Sequence, residues 1–258
     1  MRSPLGLALG LGLGLALMCG GCQPGDGPGA GGTPPPRPVD PARSTDDPAR
    51  NAHAAIDDPL GESVKKVVYL DQGWSTSDSL RFYFTPQGSQ IVPYDWYLAL
   101  EQAGSETPFR DAGNMLRLRY LPQSPGPLNP DGLAVGFVRD EGVDRAWLGL
   151  TCAACHTTEI HHEGTAYRID GAPTMGDVQT LLSALAESMR KTHDDDAKFG
   201  RFAAKVLTGR DNPSARELLK LQLEESIKTR EGYNGRNFPG YDPTTPTPPP
   251  AHYGRLDA

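Results

Sequence analysis

The sequence predicts a mainly α-helical domain with long loops. Three observations lead to this prediction. Apolar residues recur at helical spacing in the last third of the chain, and Pro or Gly stands at the ends of several such segments. No window shows the sustained alternation of apolar and polar residues that is typical of a half-buried strand.

The first residues have the features of an export signal. A basic start precedes an apolar run from Pro4 to Met18, which is shorter than the ~20 apolar residues that a spanning helix needs. Cys22 follows two glycines, as at a bacterial lipoprotein cleavage site. We therefore predict that residues 1–22 are a lipoprotein-type signal peptide and that Cys22 is lipidated. The protein would then be exported and lipid-anchored in the periplasm or at the outer envelope surface; a plain secreted form is the alternative.

Composition divides the rest of the chain into three parts. Residues 23–63 are rich in Gly, Pro, Asp and Ala and have almost nothing large and apolar to bury, which indicates a disordered linker. Residues 64–232 are enough for one core. The Pro-rich residues 233–258 predict a second linker that stops before a further domain. The formal net charge of −7 gives no basic patch and argues against nucleic acid as a partner.

Capping residues predict two helices early in the domain. Ser75 or Ser77 is an N-cap candidate for a short helix that ends at Pro86. The next helix is expected to start at Pro93 and to end before Gly104. Aromatic residues crowd both segments; we interpret most of them as core, and the alternative is that some line a large flat cofactor. They are Trp74, Phe82, Tyr83, Phe84, Tyr94, Trp96 and Tyr97.

The middle of the domain is predicted to be a loop followed by a helix. Residues 109–140 are rich in Pro and Gly, which favours irregular structure. The segment "GVDRAWLGLTCAACH" is predicted to form a helix that is entered near Asp144 and carries a pair of cysteines at its far end.

Three more helices are predicted towards the end of the domain. The first two follow from apolar residues at helical spacing, and Gly209 ends the second. These residues are Val178, Leu181, Leu182, Leu185 and Met189, then Phe199, Phe202, Ala203 and Val206. The third helix is expected to start at Pro213 and to end before Gly232.

The cysteine pair forms the pattern of c-type haem attachment. Cys19 and Cys22 belong to the signal region, so Cys152 and Cys155 are the two cysteines of the mature domain. Two thiols about one helical turn apart can each form a thioether with a porphyrin vinyl group, and His156 can then bind the iron. The predicted cofactor is one covalently attached haem c.

Three other roles for the pair were weighed. A thioredoxin-like dithiol is expected at the start of a helix after a strand, whereas this pair is predicted at a helix end. Zinc could recruit the two thiols together with His161 or His162, but the second half of a zinc module is missing from the sequence. A structural disulfide between Cys152 and Cys155 would close a very small loop and stabilise little.

Three segments also carry a family resemblance. The stretches "GSQIVPYDWYLALEQ", "WLGLTCAACHTTEI" and "YRIDGAPTMGDVQ" resemble, in this order, the N-terminal haem half of bacterial dihaem cytochrome c peroxidase-like proteins, in the branch related to the rubber oxygenases. The resemblance implies a cytochrome c-like haem domain, with Cys152 and Cys155 as attachment residues and His156 as proximal ligand. It further implies that Arg168 can pair with a haem propionate and that Asp170 can fix a turn; a plain surface pair of these two residues is the alternative.

This sequence departs from the family at one point, because it has a single CxxCH motif. A two-haem mechanism therefore cannot operate within the chain. The expectation is either a truncated form or a stand-alone form with one haem. The expected partner is a redox protein, which can be a second haem domain or chain.

The second axial ligand of the iron stays open. The candidates are Met175, His161, His162 and His193. A filled position predicts an electron carrier, and this is the function we expect, in the periplasm or cell envelope. A vacant position would predict a haem peroxidase or oxygenase, for which the sequence assigns no catalytic residue. A zinc-stabilised binding module is the non-redox alternative.

Overall fold

The computed structural model describes Arg50 and residues 63–235. The fold is mixed α/β, with 43% helix, 19% strand and two sheets, so the prediction of a mainly α, cytochrome c-like domain is wrong. In chain order the elements are β1 (Lys66–Tyr69), α1 (Thr76–Phe84), α2 (Tyr94–Ala99), α3 (Ala112–Arg117), β2 (Phe137–Glu141), β3 (Ala146–Leu150), α4 (Cys152–Cys155), β4 (Thr157–His162), β5 (Thr165–Asp170), α5 (Val178–Asp194), α6 (Asp196–Val206) and α7 (Pro213–Gly235).

The larger sheet has three strands in the order β1-β5-β4. β4 and β5 form an antiparallel hairpin in which Thr157 pairs with Asp170, and β1 adds to β5 in parallel. Glu163 and Gly164 turn the hairpin, both with positive φ. The strands escaped prediction because they are short, and because β4 ("TTEIHH") offers little apolar pattern.

The smaller sheet is the antiparallel β2–β3 hairpin. It corrects two expectations. α3 and all but the last residue of β2 lie within residues 109–140, which were predicted as loop. The helix predicted from Asp144 is instead the strand β3, followed by the single turn α4. A continuous apolar run of five residues such as "AWLGL" has a pattern that fits a strand and a helix equally well. Here the segment is a strand because it pairs with β2.

The two early helices begin where their caps predict. The Ser75 side chain accepts a hydrogen bond from the amide of Asp78, and α2 begins directly after Pro93. α2 is shorter than predicted, however, since it ends at Ala99 rather than near Gly104. The chain leaves the helix there and forms a short bridge between Glu101 and Pro108.

The three late helices follow the apolar periodicity closely. α5 and α6 bury the predicted faces, and α7 begins at Pro213 but continues past Gly232 to Gly235. Together with α2, α3 and the β2–β3 hairpin they enclose the main apolar core. Large buried members of this core include Tyr97, Phe109, Leu185, Phe202 and Leu223.

The other boundary predictions fall outside the described residues. The signal peptide, Cys22 and most of both linkers are in this category. Within Arg50 and residues 63–235, no helix is both long and apolar enough to cross a membrane.

Candidate functional site

The cysteine pair lies on a one-turn helix that is capped at both ends. β3 leads into Thr151, whose hydroxyl accepts a hydrogen bond from the Ala153 amide at 3.2 Å. At the other end, the His156 amide donates to the Cys152 carbonyl at 2.9 Å. The pair therefore opens a helix after a strand, which reverses the position predicted from the sequence.

The two faces of this turn differ completely in burial. Ala153 and Ala154 are 1% and 2% exposed, whereas Cys152, Cys155 and His156 are exposed. Both cysteines are free thiols. Because residues three apart share one face of a helical turn, the two thiols lie on the same side of α4, and His156 follows directly. All three chemistry-bearing groups are thus available from outside.

The buried face of α4 packs closely against the backbone of Gly136. Gly136 has a φ of +79°, and a Cβ built there would lie 2.0 Å from the Ala154 nitrogen. The Gly136 carbonyl also accepts a hydrogen bond from the Thr151 amide at 2.9 Å. Only glycine fits a position that combines this backbone conformation with such a close approach.

Two backbone hydrogen bonds hold the opposite end of α4. The Gly171 amide donates to the His156 carbonyl at 2.6 Å, and the Thr174 amide donates to the Cys155 carbonyl at 2.9 Å. Both donors lie in the segment between β5 and α5. The turn is therefore fixed between the β2–β3 hairpin and the chain that leaves the larger sheet.

The surroundings of Cys155 do not favour a reactive thiol at this position. Desolvation by the surrounding protein raises the pKa of the Cys155 thiol, and the neighbouring Cys152 raises it further. Redox-active CxxC thiols depend on a lowered pKa. The thioredoxin-like alternative therefore gains a helical turn that directly follows a strand, but Cys155 does not have the lowered pKa.

Aromatic side chains flank α4 on the side of α1. Phe82 and Phe84 are partly buried and pack against a small cluster that contains Ala153 and Tyr83. Trp74 is 42% exposed and contacts Phe82 edge to face at 5.0 Å between ring centroids. The other aromatics singled out in the sequence, Tyr83, Tyr94, Trp96 and Tyr97, are buried. The core interpretation thus holds for these four, and three aromatics remain near the surface beside the cysteine turn.

Arg168 is buried inside the protein rather than presented to solvent. Its side chain is 1% exposed and forms a salt bridge with Glu159 at 2.5 Å, where Glu159 is 8% exposed. It also donates to the Tyr69 hydroxyl at 3.2 Å. Burial alone would lower the pKa of this guanidinium, but Glu159 and the tyrosines raise it overall. Its charge is therefore balanced within the sheet, and pairing with a haem propionate would require this bridge to open.

Asp170 is the second buried charge of this region and ties several elements together. Its carboxylate accepts hydrogen bonds from Arg50 and from the Tyr83 hydroxyl, each at 2.6 Å. Its backbone forms two bonds with the Gln72 side chain. These contacts fix the end of β5 immediately before Gly171, which agrees with the turn-fixing role expected for this residue.

The candidates for the second axial ligand are placed very differently. Met175 is 65% exposed and follows Thr174, which bonds to Cys155, so it lies beside α4. His161 and His162 stand at the far end of β4, roughly 13 to 16 Å along the strand from its first residue. His193 is near the last turn of α5, about 22 Å along the helix from Val178. The structure brings Met175 to the cysteine turn and leads the three histidines away from it.

No group of three or more His, Cys, Asp or Glu side chains arranged to hold a metal ion occurs among the described residues. His161 instead pairs with Glu159 at 3.1 Å. The zinc alternative therefore has no ligand set within this part of the chain.

Sequence reasoning missed the residues that position the turn. Gly136 stands in the segment "LAVGFVRD", where nothing distinguishes it from other loop glycines. Gly171 and Thr174 act through backbone groups, which leave no mark in a residue pattern. Their roles follow from the pairing of strands far apart in sequence.

Comparison with known proteins gives one relative. The chain is 31% identical over 195 residues to the uncharacterized protein y4iJ of Sinorhizobium fredii, covering 67% of this chain and 32% of that protein. The chain thus spans about a third of the length of this curated relative. No family model matches the chain, and no solved structure matches it.

Proposed function

We propose that the protein is a c-type haem-binding redox protein that transfers electrons in the periplasm or cell envelope. The observation that supports this best is the one-turn helix α4, which buries its two alanines and presents two free thiols and His156 on its outer side. This arrangement suits a large cofactor that attaches from outside and needs two thioethers and one imidazole.

Each residue of the motif has a defined task in this proposal. The thiols of Cys152 and Cys155 would hold the haem through two thioethers, formed by addition of each S–H across a vinyl group without an external oxidant. The imidazole of His156 would bind the iron. The bound haem supplies one-electron chemistry. Trp74, Phe82 and Phe84 offer apolar and aromatic surface beside α4 against which a flat ring can pack.

The backbone contacts that hold α4 contribute to the same function. Because Gly136 on one side and the Gly171 and Thr174 amides on the other fix the backbone of the turn, the attachment side chains start from a defined position. A site held by surrounding backbone needs little rearrangement when its charge state changes.

The resemblance to dihaem cytochrome c peroxidase-like proteins supports a partner that carries a second haem. A relative about three times as long is consistent with a larger protein of which this chain corresponds to one part. We propose a redox partner that is a second haem domain or chain. Export and lipid anchoring through Cys22 complete the proposal, since covalent attachment retains haem outside the cytoplasm.

A second candidate function is a haem peroxidase or oxygenase. It is favoured by the positions of His161, His162 and His193, which lie away from α4 and leave Met175 as the one candidate ligand among those four that is close to the cysteine turn. If Met175 does not bind the iron, the distal side is open to small molecules.

Covalent attachment is the first point to test. The full chain is produced in a host with c-type cytochrome maturation, and haem is detected on the denatured, gel-separated protein. We expect haem on the parent protein and none when Cys152→Ala and Cys155→Ala are combined. Zinc by metal analysis, with no haem on the parent, would instead establish the binding-module alternative.

His156→Ala and His161→Ala form a matched pair for the proximal ligand. His156→Ala should change the absorption spectrum of the iron strongly, whereas His161→Ala should leave it unchanged, because His161 belongs to the far end of β4. Equal spectra for the two variants would reject His156 as the ligand.

Carbon monoxide then separates the electron carrier from the peroxidase or oxygenase. A reduced spectrum that ignores carbon monoxide in the parent but shifts in Met175→Ala would mean that Met175 fills the distal position and that the protein is a carrier. If carbon monoxide shifts the reduced spectrum of the parent protein, the distal position is open, and the peroxidase or oxygenase becomes the preferred function.

A further inference from the structure

A cleft of about 560 Å³ lies apart from the cysteine turn. It is bounded by α2, the β2–β3 hairpin and the helices α6 and α7. Its volume falls within the range of roughly 300–1,000 Å³ that is typical of small-molecule sites. Haem attachment makes no use of it, because the cleft adjoins the first residue of β3, Ala146, and α4 follows the last, Leu150. These two ends are about 14 Å apart along the strand.

One wall of the cleft is apolar and comes from α6 and α7. It consists of Val206, Leu207, Ala215, Leu218 and Leu219. Leu218 is 56% exposed, although its neighbour Leu219 is only 3% exposed. An aliphatic group placed in the cleft would cover this surface and remove it from water, which is favourable.

Guanidinium groups also line the cleft. Arg145 donates to Asp95 at 2.6 Å and lies over the Trp96 ring at 5.4 Å. Arg139 pairs with Glu141 at 2.7 Å. Both of these cations have a carboxylate partner in the protein.

Arg210 differs from the other two arginines of the cleft. Within Arg50 and residues 63–235, its side chain makes no hydrogen bond or ion pair. It follows α6 directly after the turn at Gly209 and is exposed. A guanidinium presents five donors and suits a planar anion such as a carboxylate.

The overall charge of the lining points the same way. Three guanidinium groups and two carboxylates, Asp95 and Asp144, line the cleft; Glu141, just outside the lining, pairs with Arg139, so Arg210 and Asp144 set the local charge. Asp95 is already neutralised by Arg145, and Asp144 is exposed, so water and salt screen its charge.

We propose that this cleft binds a small amphipathic anion, with its alkyl part on the leucines of α6 and α7 and its carboxylate on Arg210. The occupant is a medium-chain carboxylate or a molecule of that chemistry. The proposal does not depend on haem attachment, and either can fail without the other.

Octanoate is the probe, titrated into the full chain by calorimetry and followed by tryptophan fluorescence, since Trp96 lines the cleft. We expect saturable binding of octanoate. 1-Octanol, which lacks the charge, and butyrate, which lacks the chain, should each bind about tenfold more weakly or worse.

Two matched pairs of variants locate the site. Arg210→Ala should weaken octanoate binding at least tenfold, whereas Lys205→Ala removes an exposed cation of α6 outside the cleft lining and should have no effect. Leu218→Ser should weaken binding severalfold. Leu221→Ser, which changes an equally exposed leucine of α7 outside this cleft, should not. All four residues are exposed, so the variants should fold, and circular dichroism checks this.

Four results would overturn the proposal. The first is the absence of saturable octanoate binding, and the second is binding of 1-octanol as tight as that of octanoate. Equal affinities of Arg210→Ala and Lys205→Ala would remove the assigned anion contact. Tighter binding of free leucine than of octanoate would show that the cleft selects a zwitterion through Asp144 and not an anion.

Discussion

Two regions of the molecule are stabilised in different ways. The sheet region comprises β1, β4 and β5 with α1 and α4, and it buries charges: Arg168 is 1% and Asp170 is 7% exposed. The helical region comprises α2, α5, α6 and α7, and it buries large apolar side chains such as Leu185 and Phe202. The candidate haem site belongs to the sheet region.

The difference shows how position and stability are divided between the two regions. Hydrogen bonds and ion pairs depend steeply on distance and angle, so the network around Arg168 and Asp170 fixes where the chain runs on leaving β5. Apolar packing has no preferred direction and tolerates small shifts. The turn α4, which carries Cys152, Cys155 and His156, belongs to the sheet region, where the geometry is more strictly fixed.

The largest effect is expected from removing a buried charge of the sheet region. Arg168→Met should lower the free energy of unfolding by about 4 kcal/mol, because the buried Glu159 would lose its guanidinium partner and keep only its contact with His161. Arg190→Met is the matched change in the helical region, where the Arg190–Glu231 pair is 44% and 37% exposed. It should cost less than about 1 kcal/mol. Urea denaturation measures both; similar losses would erase the distinction between the regions.

The second-largest effect is expected from disturbing the packing of α4 on Gly136. Gly136→Ala should cost about 3 kcal/mol, since the added methyl group would overlap Ala154 and φ is positive. Gly171→Ala has the same sign of φ but open space around it and should cost only about 1 kcal/mol. Haem attachment should fall with Gly136→Ala alone. If both variants lose the same stability, the close packing of α4 on Gly136 is refuted.

Glu101 is a buried carboxylate in the loop that follows α2, and it makes the stability of the helical region sensitive to pH. Glu101 accepts hydrogen bonds from Arg201 at 2.8 Å and from Lys198 at 3.3 Å. The Arg201 bond, partly opposed by burial and assisted by Lys198, holds the Glu101 pKa below its ordinary value of 4.5. Because the folded pKa is the lower one, this stabilisation is present above pH 4.5 and is lost as the pH falls through the folded value.

Glu101→Gln should therefore cost about 2 kcal/mol at pH 7. The deficit relative to the parent should shrink in unfolding experiments below pH 4.5. Glu106→Gln is the control, because its contact with Arg201 is 3.3 Å long and its side chain is 75% exposed, so almost no effect is expected. A Glu101→Gln deficit that stays constant from pH 7 to pH 3 would contradict the assigned pKa shift.

The smallest effects are expected at helix caps, where the two regions should behave alike. Thr151 caps α4, and Asp195 caps α6 by accepting from the amides of Ala197 and Lys198. Either residue changed to Ala should cost about 1 kcal/mol. Only Thr151→Ala should also reduce the yield of attached haem, as measured on denatured gels. A reduced yield with Asp195→Ala would show that the haem site depends on overall stability and not on α4 itself.

The helical region could be predicted from the sequence, and the sheet region could not. Repeated apolar positions predict α5 and α6, and Pro213 predicts the start of α7. β5 has the alternating burial of a strand over only six residues, and β3 is an apolar run without a period. Their identity as strands is decided by partners, which for β1 and β5 lie about a hundred residues apart.

The candidate site was predicted in part. The spacing of Cys152, Cys155 and His156 predicts which residues carry the chemistry, because the thiols need one helical turn between them. It could not predict that the turn opens after a strand, since that depends on β2 pairing with β3. The buried partner of Arg168 was also out of reach, because Glu159 meets it only across the β4–β5 hairpin.

The parallel pairing of β1 with β5 has a consequence for the order of folding. This contact closes a loop of about a hundred residues before the end of β5 can settle, and such long-range closures slow folding. The helices α5 to α7 contact neighbours close in sequence and can form early. We therefore expect the cysteine turn to be fixed among the last parts of the chain, so that both thiols stay accessible from outside while the helical region already has its native packing.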